Sequence, residues 1–399
     1  MSQVSDLHRR AQEIYQSLDL DQFPDRSSES WRKVRLDGVD LLGAQKNPGD
    51  LDVSFSHAQE MGPLSDFQNL GIPGPESRQS YENAGIAILD EADSEFRARQ
   101  EWLLTRATET KDPFELSTIA FARPVALEIK KSGALLVEYT ASNGNFVAPY
   151  LYIRVKPGVE FDLILRGDDV AAAQGSIWSS TVYVQLGDNA RGRLVDMRKH
   201  GELNFHFHRV DIEQDRDSFM HYCAIHHGGL TGKGFVRTRA KKQGAEFRGV
   251  GLYTGQAAEL HDMEMEITHE ADHCNSSLLY KTVLRDRAHS IFNGNLVAPP
   301  HVKKVNSHQI NNNIVLSKKA RAESMPRLII QSEDVACEHG ATVGDLDDQA
   351  LFFLQCRGVP LEQAKRMLIE GFMEEILTEV RLSDENKEAI REQLFPILG

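Results

Sequence analysis

The sequence predicts a mainly β protein with helical regions at both ends, on three observations. Between about 115 and 335, short β-branched or alternating runs follow one another, separated by Gly, Pro, Asn and Asp. No helical periodicity interrupts them, and apolar spacing of three and four residues is confined to the two ends. So long a succession of strands without interleaved helices excludes a βαβ sheet and leaves a sandwich, barrel, propeller or β-solenoid. No clean repeat period chooses among these. The expected divisions are a helical and loop region over 1–112, a β core over 113–335 and a helical region over 336–399.

Taken in order, Leu7, Ala11, Ile14, Tyr15 and Leu18 fall at helical spacing and predict a short amphipathic helix that ends before Phe23-Pro24-Asp25. The run from Trp31 to Leu42 is ambiguous. Gly, Pro, Asp and Ser dominate from Asn47 to about Tyr81, which reads as surface loop with one short helix. Glu95 to Thr110 returns to helical composition, Asp112-Pro113 ends it, and Leu116 to Phe121 is the first strand-like run. Asp334 to His339 reads as a last strand. Asp347 and Asp348 then supply a helix start, Leu351, Phe352 and Leu354 a face to bury, and Gly358 and Pro360 a stop and a restart, which together make a helical hairpin.

Of 399 residues, 41% are hydrophobic and 26% charged, enough to bury a sizeable core. A net charge of −14 argues against non-specific nucleic-acid binding and against an anionic membrane surface, since both need a positive field. Proteins or cations are the expected partners. The first residues contain no apolar signal-like stretch and no run is long enough to span a bilayer, so the cytoplasm is the expected location. Cys223, Cys274, Cys337 and Cys356 are widely spaced and form no Cys-x-x-Cys, as expected of free thiols in a reducing compartment.

Cys337 and His339 are the first candidate pair. On a strand, residues i and i+2 share a face, which sets a thiol beside an imidazole, a donor set suited to a soft or borderline metal ion. Two ligands are too few for a cluster, so any cluster here would be shared with a partner. The plainer reading is a small buried cysteine and a hydrogen-bonded histidine. His206 and His208 also share a strand face, with His221, His226, His227, His261, His269 and His273 following; a stand-alone histidine-rich metal protein is one reading, structural or surface roles the plainer one. Asp262, Glu264 and Glu266 alternate along one face, as a carbohydrate-active lyase or hydrolase on a β-solenoid would require, while Met263, Met265 and Ile267 make an ordinary in-and-out strand the plainer reading. His227-Gly-Gly-Leu-Thr-Gly-Lys233-Gly234 fails as a phosphate loop, because Gly234 stands where a Ser or Thr hydroxyl is needed.

Taken together, Cys337-Glu-His-Gly-Ala-Thr-Val-Gly344, Leu346-Asp347, Ala350-Leu-Phe-Phe-Leu354 and Cys356-Arg-Gly-Val359 closely resemble the carboxy-terminal signature of the SufB/SufD family, scaffold subunits of the Suf iron–sulfur cluster assembly machinery. The likeness is nearly continuous from His261. The late first cysteine, Cys223, and His339-Gly-Ala-Thr342 are similar to the SufD branch, whereas Glu338 is more SufB-like. The resemblance implies a right-handed parallel β-helix core and a non-catalytic subunit that pairs with a SufB-like chain through the end of the helix, or with itself when isolated. It implies a SufC ATPase docked on the terminal helices through Leu351, Phe352, Phe353, Arg357 and Gly358. It further implies a shared assembly site at His339, with Cys337 as companion. Iron or an iron–sulfur cluster would be held there transiently, reduced flavin would be a further participant, and no cofactor would stay bound to the chain alone.

Overall fold

A computed structural model describes residues 6–17, 34, 50–60, 63, 66–90, 92–110, 112–122, 124–142, 146–169, 175–380 and 382–394. Most of the Trp31 to Leu42 run lies outside them. Strands alternate between two facing sheets, so that each pair of strands is one turn of a parallel β-solenoid of about seven turns. One sheet holds β1 (Asp50–Ala58), β2 (Gln68–Asn69), β5 (Gly133–Ser142), β8 (Glu160–Asp168), β10 (Arg191–His200), β12 (Phe219–Gly228), β14 (Glu246–Gly255), β16 (Asn275–Leu284), β18 (Val305–Val315) and β20 (Val335–Gly344). Facing it are β3 (Ile86–Ile88), β4 (Pro124–Ile129), β7 (Tyr150–Val155), β9 (Ile177–Leu186), β11 (Phe205–Gln214), β13 (Thr231–Ala240), β15 (Leu260–His269), β17 (His289–Ala298) and β19 (Arg321–Ile330), with β6 (Phe146–Val147) beside β9.

Strand period two sets what lies inside. Along β18, Val305, Ser307, Gln309, Asn311 and Asn313 are buried, while Asn306, His308 and Ile310 face out. Identical columns repeat from turn to turn because the pairing is in register, but the turn length is not constant: 26 residues separate the partners Phe205 and Thr231, and 32 separate His289 and Arg321. One row of corners is a ladder. Asn189, Asp217, Gly244, His273 and Lys304 all adopt positive φ, and their N–H groups donate to the carbonyls of Arg216, Gln243, Asp272, Lys303 and Asp334 of the next turn.

At the opposite corner Gly228 has φ +78°, and a Cβ there would overlap the backbone carbonyl of His200. Ala257 shows that alanine tolerates the left-handed region here, so most of the cost of a side chain at Gly228 comes from the overlap with fixed backbone. Gly228→Ala should therefore destabilise the fold by about 3 kcal/mol or more, read from urea midpoints.

Helices cover the outer faces. α1 (Asp6–Ser17), α3 (Ser94–Thr110) and α4 (Pro113–Phe121) pack on the β9 and β11 side, where Phe114 stacks on Phe207 at 3.6 Å; α2 (Arg78–Asn83) precedes β3. At the carboxy-terminal end α5 (Asp348–Cys356), α6 (Leu361–Glu379) and α7 (Asp384–Leu394) follow β20. Ala364, Ile369, Met373, Ile376 and Leu377 of α6 are buried, most of them against Cys223, Val250, Leu252 and Val283.

Three expectations are corrected. Leu116 to Phe121 is helix, because Asp112 caps it, accepting from the Phe114 and Glu115 N–H groups, and Pro113 opens its first turn. The supposed loop after Asn47 contains the nine-residue β1, antiparallel to β5, with Leu51, Val53 and Phe55 on one face. Finally, α5 buries none of its residues.

Candidate functional site

β20 is the last strand of its sheet, paired to β18 on one side, and β19 ends the facing sheet, paired to β17. The solenoid therefore ends in an open rung. Register puts Cys337 beside Ser307 and His339 beside Gln309, both buried inward-facing residues, so thiol and imidazole sit side by side on the inner face of that rung. Cys337 is half-buried and His339 exposed, and among the described residues no further turn covers them. Glu338 points the other way, to His308 at 3.4 Å.

Below the pair the lumen turns polar. Ser307 and Ser276 hydroxyls meet at 2.5 Å, the Gln309 amide donates to the Gly294 carbonyl, and the Asn313 amide donates to Asn311 Oδ1 and to the Thr342 carbonyl in β20 itself. Of these, the Asn313–Thr342 bond ties β20 to the rung beneath. Burial pushes the Cys337 thiol above its ordinary value, so it is protonated at neutral pH and must lose its proton to bind metal. Among the described residues no three His, Cys, Asp or Glu side chains stand in an arrangement able to hold a metal ion. The pair offers one soft and one borderline donor.

Beyond the rung, Asp347 caps α5 by accepting from the Gln349 N–H, and Gly358 at φ +83° ends it. Phe352 and Phe353 are 68% and 57% exposed, and Arg357 lies over the Phe353 ring at 5.1 Å. Leu351 is half-buried and Gly358 exposed, so the five hairpin residues named from the sequence sit together on one protruding element.

The other sequence candidates fall elsewhere. Asp262 is 3.0 Å and Glu264 3.7 Å from Lys233 Nζ, and Glu266 is 2.8 Å from Arg237, so these carboxylates are members of cross-turn ion pairs on the outer face. Gly228 and Gly229 make the β12–β13 corner, as expected of a turn. His206 and His208 do share a face, but that face looks into the lumen. There they meet His200, His226 and His261, with ring centroids 4.0–6.1 Å apart. Spacing can pair His206 with His208; the meeting of four strands cannot be read from it.

Residues 138–372 match the family model described as SUF system FeS cluster assembly, SufBD core domain. The chain is 28% identical over 218 residues to the iron–sulfur cluster assembly protein SufD of Escherichia coli, covering 54% of this chain and 50% of the relative. It is 26% identical over 200 residues to a SufBD family protein of Synechocystis, covering 50% and 44%, and 31% identical over 147 residues to SufD of Bacillus subtilis, covering 37% and 32%. The chain thus spans about half the length, or less, of the curated relatives it matches.

Proposed function

The chain belongs to the SufBD family of the SUF system, and from that premise we propose that it is a scaffold subunit of iron–sulfur cluster assembly, of the SufD kind, with no catalytic turnover of its own. The observation that supports this best is the pairing of Cys337 and His339 on the inner face of a rung that no strand among the described residues covers. A related solenoid stacked on β19 and β20 would continue both sheets, and a cysteine from that SufB-like partner would complete the donor set for iron or a cluster as transient cargo. The α5–α6 hairpin would receive the SufC ATPase, which supplies the nucleotide chemistry. No described helix is long and apolar enough to cross a membrane. The four thiols are free, in keeping with work in the reducing cytoplasm.

Anaerobic affinity purification of the full chain from its own cells tests the reading. Co-elution of an ABC-type ATPase and a cysteine-richer relative is expected; recovery of the chain alone would overturn it. Substituting Phe352→Ser with Phe353→Ser should leave the melting temperature unchanged, since both rings are exposed, and weaken ATPase capture about 30-fold. Undiminished capture would remove the hairpin as the docking element.

A further inference from the structure

The histidine cluster inside the solenoid has no part in the reading above. His200, His206, His208, His226 and His261 come from four strands on both sheets, and each is at most 3% exposed. Both ring nitrogens of His206 and of His208 lack a hydrogen-bond partner, as do Nε2 of His200 and Nδ1 of His261. His226 Nε2 is 3.8 Å from Asp196, too far for a hydrogen bond. Each buried imidazole nitrogen left unpaired costs free energy, and this many in one place call for an occupant. Glycines leave room for the rings: a Cβ at Gly232 would overlap His206, and one at Gly234 would overlap His208.

We propose that this cluster is an internal binding site for a first-row divalent transition metal ion, held by neutral imidazoles. The chemistry fits, since nitrogen donors that stay unprotonated suit iron(II), cobalt(II) or zinc and do not suit magnesium or calcium. Ring spacing fits as well. With a metal–nitrogen bond of about 2.1 Å, imidazole centroids around one tetrahedral ion lie roughly 5 Å apart. His206 and His261 are separated by 5.8 Å, His226 and His261 by 5.6 Å, and His208 and His226 by 4.7 Å. As they stand the side chains do not converge on one point, so binding requires rings to turn about χ2, a broad torsion in histidine. His200 Nδ1 is 3.0 Å from Asp169 Oδ2, a carboxylate that orients this ring as such partners orient metal-bound histidines. His206, His226 and His261 are the ligands, and His200 or His208 the fourth.

The test uses the full chain carrying Cys337→Ser and His339→Ala, so that the open rung cannot contribute. After anaerobic refolding with cobalt(II) and gel filtration, one retained equivalent is expected, with visible absorption of tetrahedral cobalt and an X-ray absorption spectrum showing nitrogen neighbours and no sulfur. His206→Asn with His261→Asn should lose that equivalent while keeping the β-rich circular dichroism spectrum. Should that variant fail to fold, the absorption spectrum of the parent protein decides alone. No retained cobalt in the folded parent, sulfur or oxygen neighbours only, or retention in the folded double variant would each overturn the site and leave water as the occupant.

Discussion

Acidification from pH 7.5 to pH 5 should markedly lower the urea midpoint of the metal-free chain. Burial holds His206, His208 and His261 well below the ordinary imidazole value, and neighbouring histidines add to the effect through mutual repulsion. Arg198 lowers His206 and His208 further, and Lys233 lowers His261. Asp196 favours the protonated form of His226, where burial outweighs it. The folded state thus binds no proton at His206, His208 and His261 where the unfolded chain does, so stability is intact above about pH 6.5 and falls as pH drops below it. His221 and His269, lowered to about 4 by burial, add in the same direction. Urea denaturation at half-unit pH steps measures this, and His208→Gln should make the loss with falling pH shallower. A flat profile between pH 7.5 and 5 would mean that the lumen rings are not neutral.

The second large effect is expected at the open rung. Cys337→Ser and His339→Ala should leave the melting temperature within a degree or so of the parent, because neither side chain anchors β20. The anchors are its backbone pairing to β18 and the Asn313 amide on Thr342. Cluster supply in cells that depend on the variant should nonetheless fall on the order of tenfold or more, as loss of a direct metal donor does. Activity of an iron–sulfur enzyme measured against its protein level is the readout. The raised thiol adds a sign: metal uptake at the rung should quicken as pH rises past the ordinary thiol value, where the thiolate fraction grows. Full supply in both variants would detach the pair from assembly.

Much of this architecture is readable from residues, and the exceptions have definite causes. Strand period two places nearly every β-run because inward and outward residues differ in burial, as in β15, where Met263, Met265 and Ile267 are core. The repeat itself is hidden because the turn length varies between partners. Its corner signal is also blurred, since Gly158, Asn189, Asp217 and Gly244 hold the left-handed position in some turns but His273 and Lys304 in others. Asp112-Pro113 reads as a stop when the same dipeptide is a helix start. β1 alternates in the ordinary way and is obscured by its polar neighbours. That Cys337 and His339 share a face follows from strand period alone, whereas the lumen cluster inverts the usual polarity, with histidines lining the interior and partly exposed ion pairs such as Arg237 and Glu266 on the outer face.

A solenoid is a linear array in which each unit is held by its two neighbours, and the last unit here has one. Amide protons of β19 and β20 should therefore exchange with solvent ahead of those in β9 to β13, through local fraying that leaves the rest of the array intact. A chain stacked on that end acts as the missing terminal cap and, at a thousandfold excess over its dissociation constant, adds about 4 kcal/mol by mass action alone. Without such a cap, two terminal strand edges among the described residues lie open to pairing with any other extended chain.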